Sequence, residues 1–345
     1  MKILHICSKD KFIPSFVNYI DQNFDSEQHF FWVFGHSDIY KLEEKNNVKF
    51  IGVNKSEKIK NIFTLIKDIH QSDKVILHGL LSIKIVLILF FIPWVMKKCF
   101  WFIWGGDLYS YKAKRNIKWY LKELIRRPVI KRMGHLVTYV KGDYELTQKW
   151  YGCSGDFLEC LMYTSNVYKY VELPNMESEH ITILLGNSAD PSNNHLDALI
   201  KISKYKNENI KVMVPLSYGE KRYAENVITE GKKLLGDKFI PITEFMSYEK
   251  YLSLLANVDI AVFNHNRQQA MGNTISLLGL KKTVYINSYT TQWQLFNDLN
   301  IKVLDVDDFS LKCINENEKN TNVEKIKNFF SDNKLAKQLK FIFES

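Results

Sequence analysis

Short apolar runs alternate with longer amphipathic stretches through the first half of the chain. The strand-like runs are Ile3–Cys7, Phe30–Phe34, Val48–Val53, Val75–Leu77, Phe100–Trp104 and Leu136–Val140. Between them, apolar positions recur at helical spacing over Ile59–Ile69, Ser82–Met96 and Ile117–Met133, the last with a kink expected at Pro128. This rhythm predicts a mostly parallel sheet with helices on both faces. A polar stretch at 170–180 interrupts it. The rhythm then restarts, with strands expected at Ile181–Leu185, Lys211–Pro215, Ile240–Ile242, Ile260–Phe263 and Thr283–Ile286 and helices between them. The expected fold class is α/β, with two Rossmann-like doubly wound domains over 1–172 and 173–322 facing a central cleft. A Lys-rich helical stretch over 323–345 is expected to pack back on the first domain. In such folds ligands meet the carboxyl ends of the strands.

Composition narrows the partners. With 345 residues, 46% of them hydrophobic, there is apolar surface for two cores. A formal charge of +9 favours an anionic partner: a nucleotide diphosphate, an anionic lipid or a nucleic acid. No aromatic-basic recognition module accompanies the charge, so a nucleic-acid partner is not expected. Five scattered cysteines, odd in number and without metal-knuckle spacing, read as reduced thiols. Met1–Cys7 reads as a core strand rather than a signal peptide, which predicts a cytosolic protein. Pro93, Lys97 and Lys98 break the apolar stretch Ile85–Trp104 below spanning length, giving a helix followed by a strand. Its apolar residues, together with Lys97, Lys98, Lys122, Arg126, Arg127, Lys131 and Arg132, would hold an anionic bilayer peripherally if exposed, although much of 85–96 also suits a core.

Two loops carry the chemistry of the second half. Leu185-Gly186-Asn187-Ser188-Ala189-Asp190-Pro191-Ser192-Asn193-Asn194-His195 leaves a strand and opens a helix. Asn193 or Asn194 is expected to cap that helix, whose N-terminus favours phosphate. An ordinary capped loop fits the same composition. The stretch Asn264–Thr274 repeats the setting with more donors. Arg267 offers a fixed bidentate charge, Gly272 close backbone approach, and Asn273 and Thr274 polar contacts at a helix start, with Gln268 beside them.

In the first half, Trp104-Gly105-Gly106-Asp107 ends an apolar strand with two glycines and a carboxylate. Asp107 is the first candidate for the base that deprotonates an attacking hydroxyl. His78-Gly79, after another strand, supplies the rival base or an acceptor contact. A turn aspartate and a satisfied structural histidine are the competing readings. Asp305-Val306-Asp307-Asp308 contains an Asp-x-Asp string, but a helix-capping aspartate explains it better, and no metal or cofactor is expected.

The runs Gly-Asn-Ser-Ala-Asp-Pro-Ser-Asn-Asn-His (186–195), Val-Pro-Leu-Ser-Tyr-Gly (214–219), Arg-Gln-Gln-Ala-Met-Gly (267–272) and Trp-Gly-Gly-Asp-Leu-Tyr (104–109) resemble glycosyltransferase family 56, in the same order and over most of the chain. The family's type activity transfers 4-acetamido-4,6-dideoxygalactose from its dTDP-sugar to the lipid II intermediate of enterobacterial common antigen. The resemblance implies a GT-B architecture, with the donor nucleotide held by the second domain and the acceptor by the first. Gly186, Asn187 and Ser188 would then line the diphosphate or ribose. Tyr218 would contact a phosphate or the sugar, and Glu244 and Phe245 would lie where the base is received. Trp104, Gly105, Gly106 and Gly79 would face the acceptor. The partners implied are a dTDP-sugar, a polyprenyl-diphosphate-linked saccharide and the cytoplasmic surface of the bacterial inner membrane. A nucleotide-sugar epimerase or hydrolase on the same fold is the competing enzyme class, and a nucleic-acid-binding protein the competing non-enzyme.

Overall fold

The computed structural model describes residues 1–35, 42, 45–51, 55–170 and 179–344. The chain divides into two units, one of residues 1–165 with 332–345 and the other of 166–331. The expected boundary between 172 and 173, and the end of the strand expected over 48–53, lie outside the described residues.

The first unit runs β1 (Ile3–Ser8), α1 (Ile13–Asn23), β2 (His29–Phe34), β3 (Val48–Phe50), α2 (Lys55–Gln71), β4 (Lys74–His78), α3 (Ile83–Phe91), β5 (Cys99–Phe102), α4 (Gly106–Tyr109), α5 (Ile117–Lys131), β6 (His135–Val137), α6 (Lys141–Tyr151) and β7 (Asp156–Leu158). Its strands are all parallel, in the order β3-β2-β1-β4-β5-β6-β7. Helices cover both faces, so the central strands are continuous apolar runs rather than alternating ones. Every residue of β4 and β5 is buried. The run expected as a strand over Leu136–Val140 leaves the sheet after Val137 yet stays buried through Tyr139 and Val140. Apolarity marks burial, not the last ladder bond. Pro128 stands inside α5 without ending it.

The second unit runs β8 (Ile181–Leu185), α7 (His195–Ser203), β9 (Ile210–Pro215), α8 (Lys221–Leu235), β10 (Phe239–Ile242), α9 (Tyr248–Ala256), β11 (Ile260–Phe263), α10 (Met271–Gly279), β12 (Thr283–Ile286), α11 (Thr291–Asp298), β13 (Leu304–Asp305) and α12 (Glu316–Phe329). This sheet is also parallel, in the order β10-β9-β8-β11-β12-β13. Where one helix is expected over 323–345, the structure has two. The buried carboxamide of Asn322 bonds both the N–H (2.7 Å) and the C=O (2.8 Å) of Lys302, tying α12 to the second unit. The last helix, α13 (Asp332–Glu344), buries Leu335, Leu339, Ile342 and Phe343 in the first unit.

A polar line crosses the core of the first unit. His29 on β2, His5 on β1 and His78 on β4 are nearly inaccessible to solvent and hydrogen-bonded in a row: His78 Nε2 to His5 Nδ1 at 3.0 Å and His5 Nε2 to His29 Nδ1 at 2.9 Å. Tyr163 continues the line, 2.6 Å from His78 Nδ1, and the Trp104 indole reaches the Tyr163 oxygen at 2.7 Å. An indole N–H only donates, so a single direction of donation along the row is consistent with every bond in it. Tyr163 accepts from Trp104 and donates to His78 Nδ1, His78 passes its Nε2–H to His5 Nδ1, and His5 passes its Nε2–H to His29 Nδ1. All three rings are neutral in this arrangement. Burial, joined for His5 by the neighbouring imidazoles, pushes His78 down to about 3, His29 to about 4 and His5 well below the ordinary value.

These folded-state values lie below the unfolded one of 6.5, so between about pH 4 and 6.5 the unfolded chain binds more protons. The stability contributed by the neutral rings is therefore complete above that window and is lost as the pH falls through it. Each ring should forfeit up to about 2 kcal/mol between pH 7.5 and 5. Urea midpoints at the two pH values test this: a clear drop at pH 5 is expected, and unchanged midpoints would mean the imidazoles are not held neutral.

Candidate functional site

In the second unit the strand order reverses between β8 and β11, which sets the loops after these two strands side by side. The two loops are bonded together: Asn266 N–H donates to Ser192 O at 2.8 Å, and His265 Nε2 lies 3.1 Å from Asn193 Oδ1. Gly186 takes φ +68°, and a Cβ there would sit 2.4 Å from His195 Nε2, so this position admits only glycine. The loop after β9 joins them through Ala189 N–H to Tyr218 O (2.8 Å) and Glu220 N–H to Ala189 O (2.9 Å).

The expected caps are not where the sequence suggests. Asn193 is fully buried. Its Oδ1 accepts from Asn187 N–H at 2.9 Å, and its Nδ2 donates to Asp190 O at 3.1 Å and Ser188 Oγ at 3.3 Å. It holds the loop's shape instead of capping α7. Asn194 opens α7 in the left-handed conformation (φ 50°) without a side-chain cap bond, and Asp190 caps only the short 3-10 turn Pro191–Asn193 ahead of it, accepting from Ser192 N–H at 2.8 Å. Thr274 is buried too, donating to Ala270 O and accepting from Gln292 Nε2. Gly186, Ser188, Asn193 and Thr274 are thus parts of the scaffold.

What faces outward is a rim of donors. Asn187 accepts from Gln269 Nε2 at 3.1 Å and donates to the exposed Tyr218 hydroxyl at 3.0 Å. Arg267 bonds Gln268 O at 3.1 Å and lies 3.7 Å from Asp190. Burial works to raise the Asp190 carboxyl, but its bonds to Ser192 and the nearby guanidinium bring it below the ordinary carboxylate range. Gly272 and Asn273 stand in the first turn of α10, whose leading N–H groups have no partner one turn back. Asn273 Nδ2 bonds Tyr251 Oη at 2.8 Å. Glu244 and Phe245 are exposed on the loop after β10. Gln269 and Asp190 also belong to this rim, though nothing in their local sequence sets them apart from other polar loop residues.

The first unit has its reversal between β1 and β4, so the loops at Lys9–Phe12 and Gly79–Ser82 are neighbours. Here the candidate base is corrected. Asp107 has no exposed surface, and both of its oxygens are occupied. Oδ2 accepts from Leu80 N–H (2.9 Å) and Trp101 Nε1 (2.7 Å), and Oδ1 from Trp104 N–H (3.0 Å) and Leu108 N–H (2.9 Å). Four donors fill the carboxylate's lone-pair sites, leaving none for a substrate hydroxyl. His78 is likewise buried with both nitrogens engaged. Both side chains are bonded within the interior of the first unit.

Gly105 (φ +80°) precedes α4 and Gly79 (φ +77°) passes beneath the Trp104 ring, while a Cβ on Gly106 would meet nothing. Trp104 remains half-buried, its ring 5.7 Å from that of Phe12. Arg126, expected in a basic surface patch, is buried instead and bonds the Asp107 carbonyl and Ser110 Oγ. On the first loop, half-buried Asp10 has a carboxylate oxygen, Oδ1, out of water and without a hydrogen-bond partner. Its sequence setting, between Lys9 and Lys11, looks like an ordinary solvated loop. Asp305 accepts from Asp307 N–H at 3.1 Å as a turn cap.

The model of the family described as 4-alpha-L-fucosyltransferase glycosyl transferase group 56 matches residues 6–342. Among solved structures, the trehalose-phosphate synthase of Burkholderia vietnamiensis superposes with TM-score 0.67 at 5% identity, covering 100% of both chains. The sucrose-phosphate synthase of Thermosynechococcus elongatus gives 0.65 at 8% identity, over 100% of this chain and 98% of that one. The N-terminal domain of Candida albicans trehalose-6-phosphate phosphatase gives 0.64 at 10%, over 99% and 96%. These likenesses establish the GT-B fold.

Asp107→Asn should destabilise the first unit, because the amide nitrogen cannot accept the bonds an oxygen now takes. One or two buried N–H groups left without an acceptor, at about 1–3 kcal/mol each, predict a loss of roughly 2–4 kcal/mol. A urea titration of the variant checks this. A variant as stable as the wild type would return Asp107 to the list of candidate bases.

Proposed function

The chain belongs to glycosyl transferase group 56 and is a glycosyltransferase, and from that premise we propose that it transfers 4-acetamido-4,6-dideoxygalactose from a dTDP-sugar to a polyprenyl-diphosphate-linked saccharide at the cytoplasmic face of the bacterial inner membrane. The observation that carries this reading is the donor rim of the second unit. Arg267 and the first turn of α10 offer a fixed cation and free amides to a diphosphate. Asn187, Gln269 and Tyr218 are tied into one polar edge suited to ribose or sugar hydroxyls. Charge developing on the departing diphosphate is then met by the cation and helix end, so divalent metal is not required. Glu244 and Phe245, exposed beyond β10, are proposed to receive the thymine.

Asp10 replaces Asp107 as the proposed base in the first unit. It stands at the topological reversal, where ligands of this fold class enter, and its Oδ1 lacks the donors that saturate Asp107. Phe12 and the half-buried face of Trp104, on either side of the same reversal, offer apolar surface to an acceptor sugar.

Two measurements test the reading. Titration of dTDP in the presence of EDTA should give binding that Arg267→Ala weakens roughly 10- to 150-fold, the loss of one charged hydrogen bond of about 1.5–3 kcal/mol. Equal affinity in the folded variant would remove Arg267 from the donor site, and binding that needs magnesium would remove metal independence. Asp10→Asn should leave dTDP affinity and stability unchanged while turnover with acceptor falls by about 10²–10⁴. Normal turnover would place the base elsewhere.

A further inference from the structure

Helices α3 and α5 pack against each other in the first unit, and both turn apolar residues outward. On α5 the usual order is inverted. Glu123 and Arg126 are buried, whereas Ile117 is 79% exposed and Leu124 72%, with Tyr120 and Leu121 beside them at spacings of three and four. On α3, Ile83, Leu87 and Phe91 repeat every four residues along one exposed stripe, which the indole of Trp94 extends just past the helix end. Scattered exposed apolar side chains are ordinary, but an exposed apolar stripe on each of two helices packed together is more than scatter.

The charges around the patch have one sign. Throughout residues 81–132 the acidic side chains are Asp107 and Glu123, and both are buried. Exposed Lys84, Lys118 and Lys122 sit on the two helices, with Lys97, Lys114 and Arg115 on the flanking turns. Among the described residues no helix is long and apolar enough to cross a membrane.

We propose that this face docks on an anionic phospholipid bilayer. The apolar stripes of α3 and α5 enter the headgroup boundary, Trp94 and Tyr120 sit at its polar edge, and the lysines meet the lipid phosphates. Charge complementarity selects this occupant: within 81–132 the exposed charges are all cations and stand beside exposed apolar side chains, and an anionic bilayer presents the matching pair. The proposal specifies the membrane contact within the functional reading above, but it stands on a composition that owes nothing to the sugar donor.

The test is co-sedimentation of the full chain with vesicles of phosphatidylcholine alone or mixed with an equal part of phosphatidylglycerol, without nucleotide or acceptor. Binding to the anionic vesicles is expected, weaker in high salt. Leu121→Gln/Leu124→Gln and Lys118→Gln/Lys122→Gln should each reduce it at least about tenfold. Ile200→Gln, which alters an exposed isoleucine of the second unit, should leave it unchanged. Variants that bind like the wild type, or a wild type that ignores anionic vesicles, would overturn the proposal. So would a lipid-free dimer that Leu121→Gln/Leu124→Gln converts to a monomer while vesicles go unbound, since the face would then join two copies. Unimpaired dTDP affinity in the same variants separates failure of this contact from failure of the donor-site reading.

Discussion

A buried carboxylate with four N–H donors and no water can exist only if the chain brings all four donors to it. Asp107 meets that condition by drawing on Leu80 after β4, the Trp101 side chain on β5, Trp104 at the strand exit and Leu108 in α4. The left-handed turns at Gly79 and Gly105 follow from this convergence, because the backbone must bend sharply on both sides of the carboxylate. Fixing Trp104 in turn fixes where its indole N–H points. That donor sets the hydroxyl of Tyr163, which sets the tautomer of His78 and of the two imidazoles behind it. Arg126, bonded to the Asp107 carbonyl, fastens α5 to the same point and so determines which side of α5 faces water.

The second unit uses a carboxamide for the corresponding task, and the difference is chemical. Around Asn193 both kinds of backbone group converge: Asn187 N–H needs an acceptor and Asp190 C=O needs a donor. An amide supplies both, where a carboxylate would supply acceptors alone. Around Asp107 there are donors alone, and an amide would face two of them with the wrong group. The local polarity of each turn therefore accounts for its central side chain.

That distinction explains what could and could not be read from the chain. The alternation of strands and helices, the two doubly wound units and the loops that open at each reversal are legible because apolar periodicity and chain order determine them. The inward or outward direction of a polar side chain is not, because its partners come from elsewhere. Asp107 after Gly105-Gly106 looks available to a substrate until Leu80, distant in sequence, is seen to claim it. Asp10 between two lysines looks solvated until its unpartnered oxygen is located. On α5, Ile117, Leu121 and Leu124 lie on one helical face while Val129 and Ile130 share the opposite one with Glu123 and Arg126, and only the packing shows that the face carrying the charged pair is the buried one.

The two units share a geometry but offer different surfaces, and the division suits a transfer reaction. At its reversal the second unit presents a guanidinium, side-chain amides and a phenolic hydroxyl, groups whose hydrogen-bonding chemistry suits the proposed nucleotide diphosphate. The first presents the aromatic faces of Phe12 and Trp104 and, on Asp10, a carboxylate oxygen without a hydrogen-bond partner. A base works best when the groups around it do not compete for the proton, and here the imidazoles are held neutral and fully bonded, away from that role. The filled hydrogen bonds of Asp107 and His78 therefore support the proposal that Asp10, whose Oδ1 is left without a donor at the β1–β4 reversal, takes the acceptor's proton.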